Sequence, residues 1–305
     1  MARRVKMTAI QIPGWVTGTT AKEKYKSNLR NIEKYLEMAG RTRCDLTAIG
    51  ECSNTRSLSR EEADAVRPPL LDGPEIQTAS RLAKKYKMNI VLGIAGRHKG
   101  KKRNSGILIN RKGQVAGVYH KVQLTRGEML AGFAAGNNFP VFETDFGRIG
   151  IVICHDLSYV ETTRVLGVRG AEIIVWPSNW SGWGRDLSLC LMRARAIDNS
   201  AYLMFLSAGQ DPTKPLNMMS GVYGCTCIIS PMGEIIAQVP QRIPNIVSAE
   251  ADLDDKRVAH GFTFDRNDVF IREMLCERRP DAYGPICDAS LVPKPPREYV
   301  VKRGA

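Results

Sequence analysis

The sequence predicts an α/β fold in which helices cover layered β-sheets. Three observations lead to this prediction. Strand-like and helix-like segments alternate along the chain, as they do when helices pack on the faces of sheets. The run at 149–153 is apolar throughout, which is typical of a strand buried on both faces. Both hairpin turns and helical crossovers join the strands, so we expect mixed sheets.

The first half of the chain begins with a predicted strand at 6–12. An amphipathic helix follows and ends near Gly40; its apolar residues recur at helical spacing and are Tyr25, Leu29, Ile32, Leu36 and Ala39. A short buried strand at 46–49 precedes a second helix, which Pro74 opens at its first position. The next strand covers 89–94. A hairpin then pairs 106–110 with 115–119 across a polar turn that contains Gly113.

The second half repeats the alternation after the apolar strand at 149–153. A helix at 161–168, a strand at 172–176 and a helix that carries Leu187 and Leu191 come next. Four more strands are predicted, at 202–206, 225–230, 235–239 and 246–251. From about Cys276 the chain becomes irregular and rich in proline and charge. We therefore predict one folded domain over 1–275 and an irregular tail over 276–305, a candidate strap between subunits.

The composition predicts a soluble cytoplasmic protein without metal. The chain is 43% hydrophobic and 25% charged, which is close to the globular average. It shows no signal-peptide pattern, and no apolar run approaches the roughly 18–20 residues that span a bilayer. The eight cysteines are scattered without C-x-x-C pairs, and there are only four histidines. A disulfide framework and a zinc site are thus disfavoured, and we expect most of the cysteines to be reduced core residues.

The net charge of +13 raises the question of a nucleic-acid partner. The basic residues are spread along the chain, however, and the densest run, at 97–103, lies between two strand-like segments. No basic helix with interleaved aromatic residues accompanies it. We interpret the run as a solvated hairpin loop and expect no nucleic-acid or membrane partner.

Three predicted strands end directly at a chemically reactive side chain. Glu51 follows the strand at 46–49, Lys121 follows the hairpin, and Cys154 follows the apolar run. At strand ends the rigid backbone delivers side chains to a common crevice. A carboxylate, an ammonium and a thiol that meet there can take up a proton, stabilise an oxyanion and attack a carbonyl carbon. Spacing alone does not select these three, because each also has an ordinary role as cap, surface charge or core thiol.

Longer stretches of sequence carry a resemblance that selects them. The segments are Ala-Ile-Gly-Glu-Cys at 48–52, the stretch 117–156 from the lysine to the cysteine, Gly-Ala-Glu at 170–172, Arg-Ala-Arg-Ala-Ile-Asp-Asn at 193–199 and Ser-Pro-Met-Gly-Glu at 230–234. In these segments the chain resembles the carbon–nitrogen hydrolase (nitrilase) superfamily over nearly residues 5 to 260. The resemblance implies a four-layer αββα sandwich built as one hydrolase domain.

The resemblance also implies roles for individual residues. Glu51 would be the general base, Lys121 the oxyanion stabiliser and Cys154 the nucleophile that forms an acyl-thioester. Glu128 would be a fourth carboxylate that orients the scissile amide, although a surface glutamate in a loop is the alternative. The backbone N–H of His155 would be a second oxyanion donor. No metal or cofactor is required by this chemistry.

Residues next to the cysteine favour an amidase or carbamoylase branch. True nitrilases of this superfamily have Trp-Glu after the nucleophile, whereas this chain has His155 and Asp156. Carbamoylase relatives hold a substrate carboxylate with adjacent arginines where this chain has Leu-Ser-Tyr at 157–159. We therefore expect hydrolysis of a small linear amide or N-carbamoyl compound. Nitrile hydrolysis and acyl transfer at the same site remain alternatives.

The stretch 176–183 is expected to line the substrate pocket because it follows a strand. Trp176, Asn179 and Trp180 are the candidate pocket residues, with Trp183 close by. Packing against the tail or a neighbouring subunit is the alternative for the tryptophans. The expected partners are a small-molecule amide substrate and, by resemblance, further copies of the chain in a homodimer or higher homo-oligomer.

Overall fold

Two β-sheets form the centre of the structure, a computed structural model that describes residues 3–179, 185–211, 213, 225–239, 242–255, 275 and 278–291. The strands are β1 (Arg4–Pro13), β2 (Leu46–Ile49), β3 (Asn89–His98), β4 (Lys101–Ile109), β5 (Val115–His120), β6 (Val141–Glu143), β7 (Arg148–Ile151), β8 (Ile173–Pro177), β9 (Tyr202–Leu206), β10 (Ala208–Gly209), β11 (Cys227–Ile229), β12 (Ile235–Gln238) and β13 (Asn245–Asp252).

Both sheets are mixed, as the sequence predicts. The first has the order β10-β1-β2-β3-β4-β5, and β13 also pairs with β1. Within it β1, β2 and β3 run parallel, whereas β3, β4 and β5 form antiparallel pairs. The second sheet has the order β12-β11-β9-β8-β7-β6, with a parallel centre of β7, β8 and β9. Glu51 and Cys154 lie just after the parallel strands β2 and β7, whereas Lys121 follows the antiparallel strand β5.

Helices cover the outer face of each sheet. Within the described ranges they are α1 (Ala21–Arg41), α2 (Arg60–Val66), α3 (Pro74–Tyr86), α4 (Arg126–Leu130), α5 (Val160–Val168) and α6 (Arg185–Asn199), with a 3₁₀ turn at Cys154–Ser158. The longest, α1, begins at a capping box in which Thr20 accepts from the backbone of Glu23 and the Glu23 carboxylate accepts in return. This cap explains why the helix starts before Tyr25, the first residue of its predicted apolar face.

Three apolar clusters show the order of the layers. The middle cluster joins the facing sides of the two sheets and includes Met7, Leu46, Val91, Leu108, Ile149, Ile173, Met204 and Ile228. A second cluster joins the first sheet to α1 and α3 through residues such as Ile32 and Leu82. A third joins the other sheet to α5 and α6 through Leu166 and Met192. The prediction of a four-layer αββα sandwich is therefore confirmed.

The basic run at 97–103 differs from the solvated loop that the sequence suggested. Most of it is strand, because β3 extends to His98 and β4 begins at Lys101, which leaves a two-residue turn. The Lys102 ammonium donates to the Ala131 carbonyl (3.1 Å) and pairs with Asp64. Arg103 donates to the Ala134 carbonyl (2.9 Å). These two cations fasten the segment after α4, so the expected hairpin is present but its exposed loop is limited to the turn at Lys99 and Gly100.

The end of the chain forms a separate unit. Contacts divide the chain into Met1–Ile271 and Arg272–Ala305. The second unit contains two 3₁₀ turns and the short helix α7 (Gly284–Cys287) within its described part, and an ion pair joins Arg279 to Asp281. The boundary at 275 and the role of the tail as a strap remain predictions. Across the described residues, no helix combines the length and apolar character that a membrane crossing needs.

A close approach between β3 and the end of β2 leads to a stability prediction. A Cβ atom on Gly93 would lie 2.5 Å from the Gly50 carbonyl oxygen and 2.9 Å from the Glu51 Cα atom. We expect Gly93→Ala to lower the free energy of unfolding by about 1–3 kcal/mol in urea titrations, because backbone atoms must shift. Gly284→Ala is the control, since its Cβ would meet no atom within 4 Å. An unchanged unfolding free energy in Gly93→Ala would contradict the predicted clash.

Candidate active site

The structure brings Lys121 together with Glu51, at the ends of β5 and β2. The Lys121 ammonium donates to Glu51 Oε1 at 2.9 Å, although the two residues are 70 positions apart. Lys121 is only 1% exposed and Glu51 only 4%. A buried charge without a partner costs several kcal/mol, so the pairing accounts for the burial of both groups.

Lys121 also contacts the Glu128 carboxylate, with a shortest distance of 2.9 Å to Oε2. Burial alone would lower the pKa of Lys121, but the negative charges of Glu51 and Glu128 raise it above its ordinary value. The ammonium therefore stays protonated. An ammonium has three protons, so it can donate to both carboxylates and to one further acceptor.

Glu51 lies among hydrogen-bond donors. Its Oε1 accepts from the Asn104 side-chain amide (2.7 Å) as well as from Lys121, and its Oε2 accepts from the backbone N–H of Asn179 (2.8 Å). The Arg56 guanidinium donates to the Glu51 carbonyl (3.0 Å) and to Asn179 Oδ1. Every partner of the carboxylate is a donor, which suits an ionised acceptor of protons.

Glu128 is placed by the helix that it begins. It occupies the third position of α4, and its Oε2 accepts from the Thr125 backbone (2.9 Å) while the Thr125 hydroxyl caps the Glu128 N–H. Its Oε1 accepts from Asn104 (2.7 Å). Burial alone would raise the pKa of Glu128, but Lys121 and these donors lower it below the ordinary value. The carboxylate thus stays ionised beside Lys121, and its role in orienting a substrate remains a prediction.

Cys154 begins the 3₁₀ turn in a left-handed conformation, with φ of +46°. Few non-glycine residues adopt this region, and such strain is often found at functional sites. Burial raises the pKa of the Cys154 thiol to about 12, and the charge of Glu51 adds to this effect. Lys121 and hydrogen bonds from Ser178 and the Asn179 backbone act in the opposite direction. The thiol is therefore protonated near neutral pH and needs a base to react.

Asp156 anchors the turn that carries Cys154. It is fully buried, and its Oδ2 accepts from the Tyr119 hydroxyl (2.6 Å) and the Ile153 backbone N–H (2.8 Å). Its Oδ1 accepts from the Gln123 backbone N–H (2.8 Å). Burial raises the pKa of Asp156 to about 6 despite these bonds. This carboxylate links the segment after β5 to the turn after β7, and so joins the lysine side of the site to the cysteine side.

His155 contributes through its position in the chain. Its ring lies beside Tyr159 and is within hydrogen-bonding distance of the Ser158 hydroxyl (3.2 Å), outside the Glu–Lys pair. Its backbone N–H is in the first turn of the 3₁₀ helix, where N–H groups have no acceptor within the helix. The peptide group after Cys154 is therefore positioned as a donor, whereas the ring is not.

Trp176 is placed differently from the pocket wall that the sequence suggested. Successive residues of β8 point to opposite faces, so Val175 joins the cluster between the sheets and Trp176 joins the helix-covered cluster. Trp176 is 1% exposed, packs on Phe205 with ring centroids 4.6 Å apart, and donates to the Cys154 carbonyl (3.0 Å). It therefore supports the cysteine backbone. Trp180 and Trp183 lie outside the described residues.

Two residues that sequence reasoning missed are close to the catalytic candidates. Asn104, on β4, donates to both Glu51 and Glu128, and Arg56 joins Glu51 to Asn179. Asn104 lies outside the strand predicted at 106–110, so the sequence pattern gave no signal for it, and only the structure places it within β4. Among the described residues, no group of three or more His, Cys, Asp or Glu side chains could hold a metal ion.

Known proteins resemble this chain in sequence and in fold. The pattern of the family described as carbon-nitrogen hydrolase matches residues 6–260. A probable nitrilase of Schizosaccharomyces pombe is 32% identical over 216 residues, which cover 70% of this chain and 74% of that protein. An omega-amidase of Saccharomyces cerevisiae is 24% identical over 269 residues, covering 83% and 88%. The solved carbon-nitrogen hydrolase of Helicobacter pylori superposes with a TM-score of 0.71 at 21% identity, covering 93% of this chain and 98% of that one.

The effect of the Glu51 charge on the Cys154 thiol can be tested without measuring turnover. Because the Glu51 charge raises the pKa of Cys154, Glu51→Gln should lower that pKa. At pH 9 the Cys154 peptide should then react with iodoacetamide about tenfold faster, as followed by mass spectrometry. Glu33→Gln, a change at an exposed ion pair with Arg81, should leave the rate unchanged. Slower alkylation in Glu51→Gln would contradict this account.

Proposed function

Since the chain belongs to the carbon–nitrogen hydrolase family and is a hydrolase of non-peptide C–N bonds, we propose that it cleaves a small linear amide or N-carbamoyl compound through a thioester on Cys154. One observation carries the proposal. A buried ammonium, Lys121, lies between two carboxylates, Glu51 and Glu128, and the Cys154 thiol lies in the same electrostatic environment. Base, cation and nucleophile thus occupy one site.

Acylation is the first half of the proposed reaction. Glu51 accepts the thiol proton as Cys154 Sγ attacks the amide carbon, since the thiol does not ionise by itself near neutral pH. The third proton of Lys121 and the backbone N–H of His155 stabilise the oxyanion. Glu51 then passes its proton to the leaving nitrogen as the C–N bond breaks. Ammonia or an amine departs, and an acyl-thioester remains.

Deacylation returns the enzyme to its starting state. Glu51 takes a proton from water while the water oxygen attacks the thioester carbon. The same two donors stabilise the second oxyanion. The C–S bond then breaks, and Glu51 returns its proton to the sulfur as the carboxylic acid leaves. Each turnover consumes one water, and the protein residues are unchanged.

Glu128 is proposed to orient the substrate. Its carboxylate is 16% exposed, more than that of Glu51, and stays ionised beside Lys121. An ionised carboxylate accepts but does not donate, so it favours a substrate that presents an N–H group. A primary amide or a carbamoyl group has such N–H groups, whereas a nitrile has none. This difference supports the amide over the nitrile.

Nitrile hydrolysis is the second candidate, because one of the relatives reported above is a probable nitrilase. A panel of short amides and matched nitriles separates the two activities by ammonia release. We expect amides to be turned over at least tenfold faster, since Glu128 has no N–H partner on a nitrile. Added hydroxylamine should yield hydroxamate if the thioester forms, which also measures acyl transfer. A faster rate on the nitriles would contradict the amidase assignment.

Cys154→Ala tests the nucleophile. We expect turnover of the best amide to fall by about four orders of magnitude or more, with an unchanged unfolding curve. The wild-type protein mixed with that amide should show an acyl mass on the peptide that contains Cys154. Cys190→Ala, at an exposed cysteine on α6, is the matched control and should keep full activity. Substantial turnover by Cys154→Ala would overturn the proposed mechanism.

Two further proposals concern the cellular compartment and the oligomeric state of the protein. All seven cysteines in the described parts of the chain are free thiols, which supports a reducing compartment such as the cytoplasm. Apolar side chains on and beside the outer helices are exposed, namely Val160, Val168 and Leu187. They support assembly into a homodimer or higher homo-oligomer, because exposed apolar surface favours association. Light scattering of the purified chain measures its state directly.

A further inference from the structure

Asn104 and Lys121 share the same two acceptors. Glu51 Oε1 accepts from Lys121 Nζ at 2.9 Å and from Asn104 Nδ2 at 2.7 Å. Glu128 Oε1 accepts from the same two nitrogens, at 3.0 Å and 2.7 Å. The four atoms therefore form a closed ring in which two carboxylate oxygens alternate with two donor nitrogens. Asn104 is 2% exposed, so water does not substitute for its contacts.

This arrangement has an electrostatic difficulty. Two carboxylates carry two negative charges, and Lys121 supplies only one positive charge between them. Carboxylates that share a site disfavour double ionisation, and the usual outcome is that one of them holds a proton. A proton shared between Glu51 and Glu128 would leave Glu51 unable to accept the proton of Cys154.

We propose that Asn104 is a positioning residue that keeps Glu51 and Glu128 ionised together, by donating one amide proton to each. This inference rests on the proposed function, in which Glu51 acts as the base. A neutral amide donor stabilises both anions without a second cation, which would compete with Lys121 for the oxyanion. The chemistry of the ring therefore requires a residue with two protons on one nitrogen.

The orientation of the amide is fixed by these contacts. If the side chain were flipped, Oδ1 would face two carboxylate oxygens, all three being acceptors. In the observed orientation Oδ1 is buried without a protein partner in the described part of the chain. A buried unsatisfied acceptor costs free energy, and the two charged hydrogen bonds on the nitrogen side offset this cost.

The backbone around Asn104 serves the same site. Its carbonyl accepts from the Lys121 backbone N–H (2.9 Å), which sets the end of β5 against β4. The preceding residues, Lys102 and Arg103, hold the carbonyls of Ala131 and Ala134, just past the helix that carries Glu128. One short stretch of β4 thus positions the ammonium and both carboxylates.

The test compares Asn104→Ala with Asn89→Ala. Asn89 is a matched control, because it is also buried and donates to a carboxylate, that of Asp145, but lies at the start of β3, away from the site. In the pH profile of kcat/KM, we expect the midpoint of the acid limb to lie about one to two pH units higher in Asn104→Ala than in the wild type. Activity should be regained at higher pH. Asn89→Ala should keep the wild-type limb, even if it is less stable.

A second readout does not depend on turnover. At pH 7, infrared spectra of Asn104→Ala should show the carbonyl band of a protonated carboxyl group that wild-type protein lacks, and Glu128→Gln in the same background should remove it. If Asn104→Ala does not fold, Asn104→Ser, which keeps one donor, should show a smaller shift. A wild-type acid limb without the band would overturn the inference. Loss of the proposed amidase function alone would leave the infrared result intact, so the two failures are distinguishable.

Discussion

The site depends on a single buried cation. Lys121 is held at the end of β5 with 1% of its surface exposed, and the surrounding carboxylates keep it charged. Burial of this charge is tolerated because Glu51 and Glu128 lie within 3 Å of its nitrogen. The same pairing holds the carboxylates in place, so position and ionisation of the three groups are set together.

The sandwich provides the rigidity that this pairing requires. The first sheet supplies Glu51, Asn104 and Lys121 from three of its strands or their ends, and the second supplies Cys154 and the Asn179 backbone. The apolar cluster between the sheets holds these two groups at a fixed separation. Asp156 adds a polar link, since it joins Tyr119 of β5 to the turn of Cys154.

Much of this organisation could be predicted from the sequence. Apolar periodicity located most strands and the longer helices, and the resemblance supplied the layer order. Glu51, Lys121 and Cys154 each follow a predicted strand, but it was the resemblance that singled them out. Short elements such as α2 and α4 were missed, since their starts depend on capping boxes at Ser59 and Thr125 rather than on apolar spacing.

Other features depend on contacts that a linear pattern does not contain. Trp176 was assigned to a pocket because it follows a strand, but the parity of β8 turns it toward the helices. Asn104 has no partner nearby in sequence, and its role appears only when residues 51 and 128 meet across it. Likewise, Lys102 and Arg103 look like a surface charge run until the segment after α4 folds back onto them.

The capping box at the start of α4 helps to hold the Glu128 carboxylate in place. Glu128 Oε2 accepts from the Thr125 backbone at the start of the helix, and both Glu128 oxygens lie within 3.0 Å of Lys121 Nζ. Ordering the Glu128 side chain costs conformational entropy only once, although the side chain both caps the helix and contacts Lys121. A substitution at Glu128 that removed its charge would also remove the cap, and the first turn of the five-residue helix α4 would be less stable. The order of the local backbone and the negative charge at this position therefore depend on one and the same side chain.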